Sequence, residues 1–295
     1  MQLSDLRARD TTGQGIAAQG TSSQGVPGSQ VIVVFSPKGG VGKTLMATSI
    51  ALVASRRGGR KTLLLDMDLD SGDVSVHLDL TEQSSINDLL PYCSDLEPDV
   101  MSRFCIHHKA GDIDVVPAPP RPELAEFVKA EHAALLLDGA RRLYRCVVLD
   151  TPPSTDCDLV YECLEKSDSQ VLVITQDLAC LRQARTSIEL LRRLGVDVKS
   201  RTHVVVNRYS EKSLLSLRKI ADFLSLDRIH TVTDDREIVE RCILDGTPLV
   251  LAAGGSDVAK DVTKAASAVL ELDVESERQT RAFRPWFGRM RRRKW

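Results

Sequence analysis

A wholly apolar run at residues 31–35 leads straight into Ser36-Pro37-Lys38-Gly39-Gly40-Val41-Gly42-Lys43-Thr44, and helical patterning starts at Lys43. A strand apolar at every position is buried on both faces, the situation in parallel sheets covered by helices. Glycines let the backbone turn its N–H groups towards phosphate oxygens, and a helix start adds a favourable dipole. Lysine at 43 reaches β- and γ-phosphates, and the hydroxyl of Thr44 suits magnesium. The spacing therefore predicts a nucleotide-phosphate site at the end of the first strand.

The rest of the chain repeats the alternation. Strand-like runs fall at 62–65, 113–116, 146–149, 170–175, 203–206 and 229–232. Helical periodicity falls at 43–54, 84–90, 123–143, 182–194, 212–224 and 257–270. No hairpin signal intervenes, and 107–112 reads as a connecting loop. The expected fold class is α/β, a mostly parallel open sheet with helices on both faces, in one domain over 31–272. Residues 1–30, rich in Gly, Ser, Thr and Gln, read as a disordered segment, and 273–295 as a separate tail.

Two more strands end in carboxylates. Asp66-Met67-Asp68-Leu69-Asp70-Ser71-Gly72-Asp73 follows the second, and Cys146-Val147-Val148-Leu149-Asp150-Thr151-Pro152-Pro153 contains another. Ligands of such sheets sit beyond the C-terminal strand ends, so these acids face the phosphates. Asn207-Arg208 closes a further strand. The seven cysteines lack a Cys-x-x-Cys pair and the six histidines lack ligand spacing, which leaves zinc and dithiol chemistry without support. No apolar stretch reaches the roughly 18 residues of a membrane span. The expectation is a cytoplasmic protein with reduced thiols.

Lys38-Gly39-Gly40-Val41-Gly42-Lys43-Thr44 resembles the deviant Walker A motif of the MinD/ParA class, within the SIMIBI group of P-loop ATPases. That resemblance implies a nucleotide held by residues Lys38 to Leu45, with ATP and Mg2+ as cofactors. It makes Lys38 the lysine that crosses a homodimer interface to the partner subunit's nucleotide. It gives Asp68 the alignment of the attacking water and a place, with Thr44 and Asp150, among the residues around the metal. Asp150 becomes the carboxylate that, with Thr44, holds magnesium, and Asn207, followed by Arg208, recognises adenine. Lys38, Lys43, Asp68 and Asp150 form the implied catalytic set. The implied function is an ATP-hydrolysing dimerisation switch that positions a cellular apparatus and is regulated by a protein partner. A DNA-associated partitioning ATPase and an ATP-binding scaffold with negligible hydrolysis are the alternatives.

Residues 66–80, 85–90 and 116–123 look like the CpaE/TadZ group, which places pilus machinery at cell poles. The thirty residues before the first strand are too few for that group's receiver-like domain. Charge is unevenly spread. Eight of the 39 basic residues lie in 278–295 with no acid among them, leaving 31 basic against 41 acidic residues upstream. In that tail Phe283, Trp286, Phe287 and Met290 fall on one helical face, flanked by Arg284, Arg289, Arg291, Arg292 and Arg293. This resembles the C-terminal membrane-targeting helix of MinD proteins, suited to an anionic inner membrane face or a pole. Nucleic-acid or protein docking and a simply solvated terminus remain open readings of the same residues. The acidic body disfavours DNA.

Overall fold

The computed structural model describes residues 26–81, 83–155 and 157–272. The tail residues 283–293 singled out above, and residues 1–25, lie outside the described residues.

Eight strands form one sheet: β1 (Gln30–Phe35), β2 (Thr62–Asp66), β3 (Ile106–His108), β4 (Ile113–Val116), β5 (Cys146–Asp150), β6 (Ser169–Thr175), β7 (Thr202–Tyr209) and β8 (Ile229–Thr233). Their spatial order is β3-β4-β2-β5-β1-β6-β7-β8. Every pairing is parallel except β3 with β4. The α/β expectation therefore holds, with helices covering both faces. β1 lies between β5 and β6, and from Val31 to Phe35 it is wholly buried. Burying side chains of this size contributes about 1.5–3 kcal/mol each, which is why an all-apolar strand belongs in the middle of the sheet.

The helix Lys43–Arg56 is buried from Leu45 to Ser55. It lies between the sheet and the helix Asp257–Val269, so its sequence shows no polar stripe. The helix Leu178–Arg193 is amphipathic instead, burying Cys180, Leu181, Ala184, Ser187, Ile188 and Leu191 at three- and four-residue intervals.

Several local expectations are corrected. His107 and His108 belong to β3, which pairs antiparallel with β4, so a short hairpin stands where a loop was expected. Its strand is three residues long and only partly buried, too short to show alternation. The helical region at 123–143 divides into a 3-10 turn, Pro122–Phe127, and a helix, Ala130–Leu143. Nδ1 of His132 accepts from the backbone N–H of Lys129 and starts the second piece there. At 212–224 only Leu217–Leu224 is helical, because the Ser216 hydroxyl accepts from the Lys219 N–H and caps it. Helices Pro98–Phe104 and Arg236–Leu244 were not anticipated, although each has a local start signal: Pro98 in the first turn, and Asp235 accepting from the Ile238 N–H. Upstream of residue 31, Val26 donates its N–H to the Arg141 carbonyl, and the Ser29 hydroxyl donates to that of Tyr144.

Candidate functional site

The chain leaves β1 towards β2 on one side of the sheet, whereas β6, its other neighbour, leads to β7 on the opposite side. The two connections diverge at the C-terminal ends of β1 and β6, the place where open α/β sheets hold ligands. The glycine-rich segment occupies this crevice. Gly40 and Gly42 adopt φ of 70° and 100°, left-handed values that fold the segment back to the helix start at Lys43. Gly42 is the N-cap, and no acidic residue occupies the first helical turn. The helix therefore presents N–H groups and positive dipole to the crevice with no carboxylate of its own competing for them. Lys43 is 7% exposed, a nearly buried ammonium.

Three carboxylates lie at and just beyond the ends of β2 and β5, and Lys43 acts on two of them, Asp68 and Asp150. Asp66 and Asp150 are register partners at the ends of β2 and β5. Asp66 accepts hydrogen bonds from the N–H groups of Asp68 at 3.1 Å and Val74 at 3.2 Å, and so organises the loop between them. Burial, followed by the neighbouring Asp150, drives its pKa well above the ordinary carboxylate range. Asp150 is fully buried, and neither carboxylate oxygen meets hydrogen-bond geometry among the described residues. Burial pushes its pKa up to about 7, against the opposing influence of the Thr44 hydroxyl and the Lys43 ammonium. Asp68 is half-buried. Desolvation raises its pKa, Lys43 lowers it, and Asp73 and Asp70 add repulsion. Asp70 and Asp73 are exposed.

This donor set fits a hard divalent cation. A buried carboxylate without a partner is costly, and a cation beside Asp150 and the Thr44 hydroxyl would satisfy it. Among the described residues no three His, Cys, Asp or Glu side chains are assembled to hold a metal. A cation here would keep waters and take phosphate oxygens as ligands, which is the habit of magnesium.

The second carboxylate-bearing loop is fixed to β1. The Thr151 hydroxyl and N–H both donate to the Val34 carbonyl, at 3.0 and 3.3 Å. Pro153 faces Gly39, where an added Cβ would meet its ring at 3.8 Å. Asn207 and Arg208, from the end of β7, also come to the glycine loop. The Asn207 amide donates to the Val41 carbonyl at 2.7 Å, and the Arg208 guanidinium donates to that of Gly40 at 3.2 Å. The expectation for Asn207 was contact with a base; its contacts within the chain are with the phosphate loop and its own neighbour.

Lys38 extends from the loop to Asp177, with 2.9 Å between Nζ and Oδ1. Sequence reasoning missed Asp177. It falls between a recognised strand and a recognised helix, and it caps Leu178–Arg193 by accepting from the Cys180 N–H at 2.8 Å. An Asp just before an apolar-periodic run is a helix-start signal, but nothing in the sequence couples it to a lysine 139 positions away.

A glycine loop closing on a nearly buried lysine, with two buried carboxylates at neighbouring strand ends and one of them, Asp150, without a hydrogen-bond partner among the described residues, defines a P-loop NTPase of the kind with a second lysine before the glycines. Residues 28–269 match the ParA family model, described as NUBPL iron-transfer P-loop NTPase. The chain belongs to the ParA/MinD family of P-loop NTPases. An ATP-binding protein of Methanocaldococcus jannaschii is 25% identical over 248 residues, covering 83% of this chain and 89% of that protein. A ParA family ATPase from Chlorobium tepidum superposes with a TM-score of 0.74 at 22% identity, over 81% of this chain and 97% of its own. The septum site-determining protein MinD of Pyrococcus horikoshii, solved with Mg-ADP, gives 0.68 at 19% identity, over 82% and 96%. Among the described residues no helix is long and apolar enough to cross a membrane.

Proposed function

We propose that this chain is an ATP-hydrolysing dimerisation switch that positions or recruits a cellular apparatus. The observation carrying this reading is the nearly buried Lys43, set between the glycine loop and the carboxylates Asp68 and Asp150. Residues 31–272 form the ATPase domain. Lys43 matches the β- and γ-phosphate charge, and the N–H groups of Gly39 to Leu45 cradle the phosphates. Thr44 and Asp150 hold magnesium, with Asp68 close by. The ion, bound with ATP, supplies positive charge to the transferring phosphoryl group. Asp68 orients the attacking water. Lys38 leaves Asp177 and reaches the nucleotide of a second copy, so nucleotide binding and association become linked.

Residues 273–295 act as a targeting tail for an anionic membrane face, and a protein partner sets the hydrolysis rate. Residues 66–80, 85–90 and 116–123, which resemble the CpaE/TadZ pilus-positioning group, support a pole-directed apparatus as the cargo. Calorimetry with Mg-ATP tests the core of the reading. Wild type is expected to bind, and Lys43→Ala to lose tight binding because the principal phosphate cation is gone. Unchanged affinity in that variant would sink the assignment of the loop. Phosphate release measured on the wild type separates a switch from a scaffold that never hydrolyses. Sedimentation with anionic vesicles, with and without residues 273–295, tests the tail.

A further inference from the structure

The end of β7 is distorted at one place. Val206 pairs with Thr231 and Tyr209 with Thr233, so three steps on β7 oppose two on β8. The extra residue is a bulge, a device that re-aims side chains beside functional sites. Arg208, inside it, has φ of 53°, a left-handed conformation that non-glycine side chains mostly avoid. Both re-aimed side chains end on the glycine loop, and both take carbonyl oxygens there: Asn207 that of Val41, Arg208 that of Gly40.

Asn207 is 6% exposed, and its Oδ1 accepts from the Arg208 N–H at 2.9 Å. Its amide orientation is thus fixed by a donor on one side and an acceptor on the other. Gly42 completes the fit. A Cβ at that position would lie 2.4 Å from the Asn207 amide nitrogen, so the loop and the amide are in immediate contact. In a planar trans peptide the carbonyl and the next N–H point in opposite directions. Holding the carbonyls of Gly40 and Val41 towards β7 therefore turns the N–H groups of Val41 and Gly42 away from it and keeps them so.

We propose that Asn207 and Arg208 are positioning residues that brace the peptide planes of the phosphate loop, and so set its affinity for polyphosphate independently of any base. The inference rests on the nucleotide-site reading above. It differs from base recognition in what the side chains hold, a loop rather than a ring, and the two separate when the base is removed from the ligand.

The experiment is calorimetric titration of wild type, Asn207→Ala and Arg208→Gly with ATP and with inorganic tripolyphosphate, each with magnesium. Losing one buried hydrogen bond is expected to weaken both ligands by about tenfold in Asn207→Ala, by the same factor for each. Arg208→Gly, in which glycine readily takes the left-handed conformation, is expected to weaken both by a smaller, matched factor. Its ligand-free melting temperature should stay near that of wild type, which separates the brace from general loss of fold. Weaker ATP with unchanged tripolyphosphate in Asn207→Ala would overturn the brace and make the residue a base reader. Unchanged affinity for both ligands in both variants would also overturn it. A wild type that binds neither ligand overturns the nucleotide-site reading with it, whereas an indifferent variant beside a binding wild type overturns the brace alone.

Discussion

Lys38 and Asp177 form an ion pair across the crevice between β1 and β6, Nζ to Oδ1 at 2.9 Å, and both side chains keep solvent access at 39% and 48% exposed. The hydrogen bond to Asp177 raises the lysine pKa, and that from Lys38 lowers the aspartate's. The lysine proposed to serve a second subunit is therefore held by its own. In the proposed dimer Lys38 leaves this contact, so the reading predicts that the strength of the contact enters the dimerisation equilibrium.

Asp177→Asn tests this, since asparagine keeps the helix cap while removing the charge. The variant should melt close to wild type yet dimerise at lower protein concentration with a non-hydrolysable ATP analogue and magnesium. Lys38→Ala should bind nucleotide but remain largely monomeric. Light scattering at matched concentrations reads both. A Lys38→Ala protein that dimerises like wild type removes the cross-interface role, whatever else the site does.

Asp68 sits half-buried, with Lys43 and the acids Asp70 and Asp73 as its electrostatic surroundings. Asp68→Ala removes the carboxylate proposed to orient water but no phosphate cation. Mg-ATP affinity should change by less than about threefold, while phosphate release falls by at least about a hundredfold, the range expected of general-base positioning. Normal release from this variant would move the duty to another acid, Asp73 first.

The sheet and the glycine loop were legible because their signals are local. An all-apolar run before Ser36 and the glycines at 39, 40 and 42 carry their own geometry. What was illegible depends on pairs brought together by topology. His203 and His230 have no ligand spacing in the sequence, yet adjacent parallel strands set Nδ1 of one 3.1 Å from Nε2 of the other. Asp177 meets Lys38 only because β6 lies beside β1. The β3–β4 hairpin was illegible because a strand of three residues, two half-buried around an exposed His107, is too short to show a period. The contact between Asn207 and the glycine loop was hidden for a similar reason: a strand end was readable, but the bulge that turns its amide onto Val41 was not.

Asp150 illustrates function set against stability. Its carboxylate is fully buried and both oxygens lack partners among the described residues, an arrangement that costs the ligand-free fold. Asp150→Asn should therefore raise the ligand-free stability, by at most about 1–3 kcal/mol, because burial penalises the charged carboxylate by more than the Thr44 hydroxyl and the Lys43 ammonium restore. Magnesium-dependent ATP binding should fall at the same time. Urea unfolding without ligand, paired with calorimetry, measures both. A variant that is less stable and binds Mg-ATP normally contradicts the placement of the cation beside Asp150.

The histidine pair gives the fold a pH dependence remote from the nucleotide. His203 is 6% exposed and stacks on His230, with ring centroids 5.4 Å apart. Burial, then the neighbouring His230 and Arg228, lowers its pKa from 6.5 to about 4. His230 is lowered too, by burial and Lys264. The charged groups acting on the two rings, Arg228 and Lys264, are basic, so a proton on either ring is disfavoured. The native pKa lies below the unfolded one, and between the two the unfolded chain binds more protons. The stability that the neutral His203 contributes is therefore complete above pH 6.5, drains as the pH falls, and levels off below about 4. A tenfold change in proton affinity is worth about 1.4 kcal/mol, so His203 accounts for at most about 3 kcal/mol of that loss. Across this window the raised pKa values of Asp66 and Asp150 add stability towards acid, so the histidine share is read as a difference: urea midpoints of His203→Phe, which takes no proton, should fall less, or rise more, towards acid than those of wild type. An unchanged slope in that variant would show that the pair is not what the acid limb reports.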